Sequence, residues 1–164
     1  KNTTKRFAGI PHEILISAAY RSLDCTARAL LLDLVMMENG HNNGSVWLSV
    51  RDAVDRLGIT DARPAIRSFE MLQAAGLIAM TKEAHFSIKA ADTSRARCWK
   101  LTWRPFDRKP PSNEWRDYQP PAGSSENKRA DKGLRVMARY RKQQASKKIP
   151  IVDFTAPPPV VAQK

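Results

Sequence analysis

A three-residue turn between two amphipathic helix patterns constrains this fold more than any other feature of the sequence. The first pattern, VRDAVDRL at 50–57, ends at Gly58, and glycine readily adopts the left-handed conformation that stops a helix. The second pattern covers 61–75 and repeats its apolar residues at helical spacing. Arg63 and Arg67 lie one turn apart on the opposite side of that helix. A helix that only filled a core would need neither the tight turn nor the outward cations.

Capping residues indicate where these two helices begin. Ser49 is the predicted N-cap of the first helix, with Asp52 three residues later as its capping-box partner. Thr60 is the predicted N-cap of the second helix, and Asp61 suits the positive end of its dipole. The sequence therefore predicts a helix-turn-helix unit over residues 50–75.

The rest of the first hundred residues predicts further helices and a small sheet. One helix is expected over 11–22, and a second, with a broad apolar face, after the N-cap Asp24. The turn signal GHNNG at 40–44 leads to a short strand at 45–48. Alternating apolar and polar residues within 77–103 predict an antiparallel hairpin.

This order of elements is that of a winged helix-turn-helix. Beyond the generic fold, the segments IPHEIL, SAAYRSLDCTARALLLDL and GHNNGSVWLS resemble a group of small winged-helix proteins from bacterial plasmids and phages. Members of that group are replication-associated proteins or transcriptional regulators. The resemblance covers residues 7–103. It implies an α+β domain of three to four helices with a small antiparallel β-wing, in which 61–75 is the recognition helix and 77–103 is the wing.

The predicted DNA contacts are divided between the recognition helix and the elements around it. A major groove about 12 Å wide admits one α-helix, and an arginine can form two parallel hydrogen bonds to guanine there. The residues predicted to contact bases are Arg63, Arg67, Ser68 and Asp61. Those predicted to contact the DNA backbone are Thr60, Ser49, Arg51 and four residues of the wing, namely Lys82, His85, Arg95 and Arg97. A solvated surface is an equally good interpretation of each wing residue.

Other chemistry-bearing residues favour structural roles. Three tryptophans beside apolar residues are predicted to be core residues rather than platforms for stacked bases; they are Trp47, Trp99 and Trp103. Cys25 and Cys98 are predicted to be buried thiols rather than a disulfide. Neither the histidines nor the cysteines have a metal-ligand spacing, and no nucleophile or phosphate-loop motif is present. We therefore expect no enzyme activity, no cofactor and no metal.

Charge is distributed unevenly along the chain. The formal net charge of +12 favours a polyanionic partner. Residues 1–103 carry 14 Lys and Arg against 10 Asp and Glu, whereas residues 104–164 carry 14 against 6. Five prolines within 105–126 predict an extended linker over 104–126. Residues 127–164 are predicted to be a basic, disordered tail that becomes helical over 130–142 when a polyanion screens it.

The sequence thus predicts a sequence-specific binder of double-stranded DNA that acts as a transcriptional repressor. It would bind as a homodimer or as two copies per site, in the cytoplasm and associated with the nucleoid. No membrane span is expected, because the sequence has no run of about 18 apolar residues. An origin-binding replication protein of a plasmid or phage would make similar DNA contacts and remains an alternative. A second alternative is a winged-helix adaptor that binds a protein partner through the apolar 149–161 segment of its tail.

Overall fold

Helices and a small sheet make up residues 7–82 and 97–146, the part of the chain that the computed structural model describes. Within that part the helices are α1 (His12–Leu15), α2 (Ala18–Ser22), α3 (Cys25–Met37), α4 (Val50–Leu57), α5 (Ala62–Ala74) and α6 (Ser125–Ser146). The strands are β1 (Val46–Trp47), β2 (Ile78–Lys82) and β3 (Cys98–Leu101). A 3-10 turn covers Glu114–Arg116. The fold is therefore of the predicted α+β class.

The three strands form an antiparallel sheet in the order β1-β3-β2. Val46 of β1 is paired with Trp99, and Ile78 of β2 is paired with Leu101. The register between β2 and β3 shifts between Met80 and Lys82. This sheet beside helices α3 to α5 is compatible with the winged helix that the sequence predicts. The connection between β2 and β3 lies outside the described residues.

Helices α3, α4 and α5 pack against one another and enclose the core. Phe69 of α5 stacks on Trp99 of β3 with ring centroids 4.6 Å apart and an angle of 11° between the rings. The Trp99 indole N–H donates a hydrogen bond to the Leu48 carbonyl at 3.0 Å, so its polar atom is satisfied inside the core. This contact fixes α5 to the sheet. The predicted core role of Trp99 and Trp103 is confirmed, whereas Trp47 is 57% exposed and that prediction is wrong.

The helix predicted over 11–22 is in fact two short helices, α1 and α2. Ser17 separates them because its backbone is extended and its side chain forms hydrogen bonds in both directions. The Ser17 hydroxyl donates to the Ile14 carbonyl at 2.7 Å and accepts from the Tyr20 N–H at 3.2 Å. A serine side chain can offer the backbone this alternative to a continuous helix.

Helix α4 has the predicted bounds, and α5 is one residue shorter at each end than the predicted 61–75. Ser49 caps α4 by accepting a hydrogen bond from the Asp52 N–H, and Gly58 ends α4 in the left-handed conformation with φ +63°. The N-cap of α5 is Asp61 rather than Thr60, because the Asp61 carboxylate accepts from the Arg63 N–H at 3.0 Å. The predicted turn is confirmed, and its cap lies one residue later than expected.

Residues 104–126 are not the extended linker that their prolines predict. Trp115 is buried in the main core, and the segment is joined to the sheet by a hydrogen bond from the Asn113 N–H to the Thr102 carbonyl at 3.0 Å. Gly76 lies directly beneath it, so that a Cβ atom there would be 2.8 Å from the Glu114 carbonyl carbon. The aromatic anchor outweighs the preference of proline for extended chain. We call residues 105–124 the strap.

The basic segment after the strap is also ordered rather than disordered within the described residues. Helix α6 packs against α2 and buries Ala130. The Arg129 Nε donates to the Ser22 carbonyl at 2.8 Å, and Gly133 lets α6 approach the side chain of Arg21 closely. An intramolecular partner for its apolar side therefore stabilises this helix without a polyanion. The predicted partner segment 149–161 lies outside the described residues.

Candidate nucleic-acid interface

Helix α5 presents one side to the core and the other to solvent. Ala65, Phe69 and Leu72 are buried on its inner side, as the helical spacing predicts. Helical spacing also predicts Ile66 on the inner side, but its side chain is 40% exposed. The outer side therefore carries the exposed Arg63, Arg67 and Glu70 together with one exposed isoleucine.

Arg63 stands at the amino-terminal end of the outer side. Its Nε lies 2.8 Å from a carboxylate oxygen of Asp61, and its side chain is 89% exposed. Asp61 thus accepts hydrogen bonds from both the backbone and the side chain of Arg63. An exposed ion pair of this kind contributes about 0–1 kcal/mol, so the guanidinium can readily exchange this partner for another.

Arg67 follows one turn later and contacts a different helix. One of its terminal nitrogens lies 3.3 Å from the second carboxylate oxygen of Asp24, and its side chain is 72% exposed. The first oxygen of Asp24 caps α3 by accepting from the Ala27 N–H at 2.8 Å. Asp24 therefore orients Arg67 from the start of α3. The guanidinium remains open to solvent on its outer side.

Ser68 does not belong to this surface, so its prediction as a base contact is wrong. The side chain is buried, and its hydroxyl donates to the Pro64 carbonyl at 2.8 Å. Serine within a helix commonly bonds to the carbonyl four residues earlier, which satisfies the hydroxyl internally. Of the four predicted base contacts, Arg63, Arg67 and Asp61 share the exposed side.

The predicted backbone contacts lie on several elements. Thr60 is exposed in the turn and Arg51 is exposed at the start of α4, whereas Ser49 is half-buried and engaged as the N-cap of α4. Lys82 is exposed at the end of β2, and Arg97 is half-buried before β3 with its carbonyl accepting from the Leu48 N–H. His85 and Arg95 lie outside the described residues.

A cavity of about 260 Å³ lies beside the carboxyl-terminal half of α5. Arg67 and Glu70 line it from α5, and Tyr118 and Glu126 line it from the strap and the start of α6. The pKa of Glu126 is lowered by a hydrogen bond from its own backbone N–H and then by the Ser125 hydroxyl, which keeps the carboxylate ionised at neutral pH. Tyr118 thus places the strap beside the candidate surface, whereas the prolines of this segment predict an extended linker.

A second group of cations lies where α6 meets α2 and α3. The guanidinium carbons of Arg21 and Arg28 lie 5.6 Å and 5.0 Å from the centre of the Tyr20 ring. Burial lowers the pKa of the Arg21 guanidinium, and the nearby charge of Arg28 lowers it further. Sequence patterns do not identify this group, because its proximity depends on how three helices pack.

Two other kinds of site have no support in residues 7–82 and 97–146. No group of three or more His, Cys, Asp or Glu residues there could hold a metal ion. None of the helices in this part is both long enough and apolar enough to span a bilayer. Cys25 is exposed and Cys98 half-buried, and the two form no disulfide, so the prediction of two buried thiols is wrong.

No protein-family model, curated protein or solved structure matches this chain.

Proposed function

We propose that this protein binds double-stranded DNA sequence-specifically as a winged helix-turn-helix transcriptional repressor, with α5 as its recognition helix. The observation that carries the proposal is the pair Arg63 and Arg67, one turn apart on the outer side of α5 and 89% and 72% exposed. The inner side of the same helix is fixed to the sheet by the Phe69–Trp99 stack. A rigid helix with two exposed arginines on its outer side suits insertion into a major groove.

The ion pairs of the two arginines do not argue against DNA binding. Each joins an arginine to one carboxylate at the surface, and such pairs contribute about 0–1 kcal/mol. A bidentate contact from arginine to guanine contributes roughly 1–3 kcal/mol to discrimination between bases. The ion pair that an arginine gives up is therefore no stronger than the discrimination that its guanine contact supplies. Asp24 and Asp61 hold the guanidinium groups near the surface until DNA replaces them.

The surroundings of α5 supply residues for contacts that carry no sequence information. Arg51 is exposed at the start of α4, Thr60 is exposed in the turn, and Lys82 is exposed at the end of β2. Contacts from such residues to phosphates fix the register of a protein on a duplex. In this proposal β2, β3 and their connection form the wing. Two copies would occupy one complete site, because a single module of this kind buries only roughly 600–1,000 Å².

The test begins with selection of the duplexes that the protein binds from a random pool. Affinities for a selected and a random duplex are then compared for the wild type, Arg63→Ala, Arg67→Ala and the control Arg108→Ala. Arg108 is exposed in the strap, so the control removes the same charge from a position outside α5. Removal of one bidentate contact should reduce the preference for the selected duplex by roughly 5- to 150-fold.

The control should keep the wild-type preference. An unchanged preference in both α5 variants would refute base reading by α5. Binding whose affinity does not change between roughly 50 and 200 mM salt would favour a protein-interaction adaptor instead, since several phosphate contacts make affinity strongly salt-dependent.

A further inference from the structure

Helix α6 carries a continuous cationic stripe on its exposed side. Its members are spaced four, three, four and three residues apart, and all are exposed; they are Lys128, Lys132, Arg135, Arg139 and Lys142. At 100° per residue they fall within an arc of about 80°, and at 1.5 Å per residue they extend over roughly 21 Å. We call this set the α6 stripe.

Neither acidic residue of α6 lies on the stripe. Glu126 is on another side of the helix and pairs with Arg129 at 3.1 Å, and the exposed Asp131 lies about 20° beyond the edge of the 80° arc, one turn before Arg135. The surface of an ordinary domain intersperses charges of both signs. Like charges three and four residues apart also destabilise a helix. The α6 stripe therefore opposes the stability of its own helix, which indicates that an anionic partner relieves the repulsion.

The packing of α6 decides what kind of anionic partner fits. The side opposite the stripe contains Ala130 and Gly133 and packs against α2. A helix that binds a membrane surface inserts an apolar side into the lipid and leaves its charges outward. In α6 the side at Ala130 and Gly133 is covered by α2, and Val136 and Tyr140, which are 54% and 53% exposed, lie between that side and the stripe. A linear, rigid polyanion can instead lie along the stripe without displacing α2.

We propose that the α6 stripe binds the sugar-phosphate backbone of duplex DNA next to the site read by α5, and so adds sequence-independent affinity. This inference rests on the proposed function. Glu126, at the start of α6, lines the same cavity as Arg67 of α5, so the first turn of α6, which carries Lys128 on another side, lies beside the candidate recognition surface. Duplex DNA carries one negative charge per roughly 1.7 Å of its axis, which provides phosphates over the whole length of the stripe.

The experiment compares Arg135→Gln/Arg139→Gln with the control Arg108→Gln/Lys109→Gln in the full-length protein. Glutamine keeps a helix propensity close to that of arginine, and circular dichroism should show unchanged helix content. Removing one phosphate contact should lower the slope of log affinity against log salt by about 0.9, so the stripe variant should show a slope smaller by about 1.8. Selected and random duplexes should be weakened by the same factor, and the control should keep the wild-type slope.

Three results would overturn the proposal. The first is a wild-type slope in the stripe variant, and the second is an equal decrease of slope in the control, which would indicate only a general effect of net charge. The third is weakened binding to anionic vesicles or to an RNA hairpin with duplex binding unchanged. If Arg63→Ala still lowers the preference for the selected duplex in that experiment, only the stripe proposal fails. If the wild type binds no duplex at all, the proposed function fails as well.

Discussion

Replacing Gly76 by alanine tests whether the strap is an integral part of the fold. Gly76 has φ +65°, and a Cβ atom there would lie 2.8 Å from the Glu114 carbonyl carbon and 2.9 Å from the Trp115 backbone nitrogen. Gly58 provides a matched control, because it has φ +63° and its Cβ would have no neighbour within 4 Å. Both substitutions carry the same conformational penalty, and only Gly76→Ala adds a steric clash.

The expected magnitudes follow from this comparison. Placing alanine in the left-handed region costs roughly 1–2 kcal/mol, which both variants share. Forcing an extra methyl group into a packed site costs typically about 1–3 kcal/mol more. Gly76→Ala should therefore lower the free energy of unfolding by roughly 2–5 kcal/mol, and Gly58→Ala by roughly 1–2 kcal/mol.

Urea unfolding followed by tryptophan fluorescence measures both values. The midpoint should fall further for Gly76→Ala than for Gly58→Ala, with the dependence on urea concentration unchanged in both variants. The reasoning is refuted if the two variants lose equal stability, because the clash with the strap would then be absent.

Two further predictions concern the same architecture. Trp99→Phe keeps most of the stacking on Phe69 but leaves the buried Leu48 carbonyl without its donor. In urea titrations this variant should lower the free energy of unfolding by roughly 1–3 kcal/mol. An unchanged free energy of unfolding would contradict the role of that hydrogen bond. Truncation after Arg104 removes the buried Trp115 and the whole of α6. The truncated chain should have a lower thermal midpoint and weaker DNA binding than the full chain. Equal stability of the two chains would contradict the packing of the strap.

The helix-turn-helix unit could be predicted because its signals are local. The Ser49 side chain reaches a backbone N–H only three residues away, and Gly58 stops α4 by its own conformation. Such interactions depend on sequence neighbours alone. The spacing of Arg63 and Arg67 likewise follows from the helical repeat, so the sequence could place both on the outer side of α5.

Ser68 and Trp47 show where such local reasoning ends. Both were assigned by residue type and spacing, yet Ser68 is buried and Trp47 is exposed. Helical or strand periodicity identifies the two sides of an element, but it does not reveal how far the neighbouring elements cover each side. Burial at such borderline positions is decided by tertiary packing.

The sequence by itself determined the order of the elements, the turn at 58–60 and the surplus of positive charge beyond residue 104. Only the tertiary structure decided that Trp115 holds a proline-rich segment against Gly76, and that α6 is ordered by packing on α2. Both contacts join residues far apart in the chain. Their free energy comes from burial of apolar surface between partners that composition and periodicity do not identify.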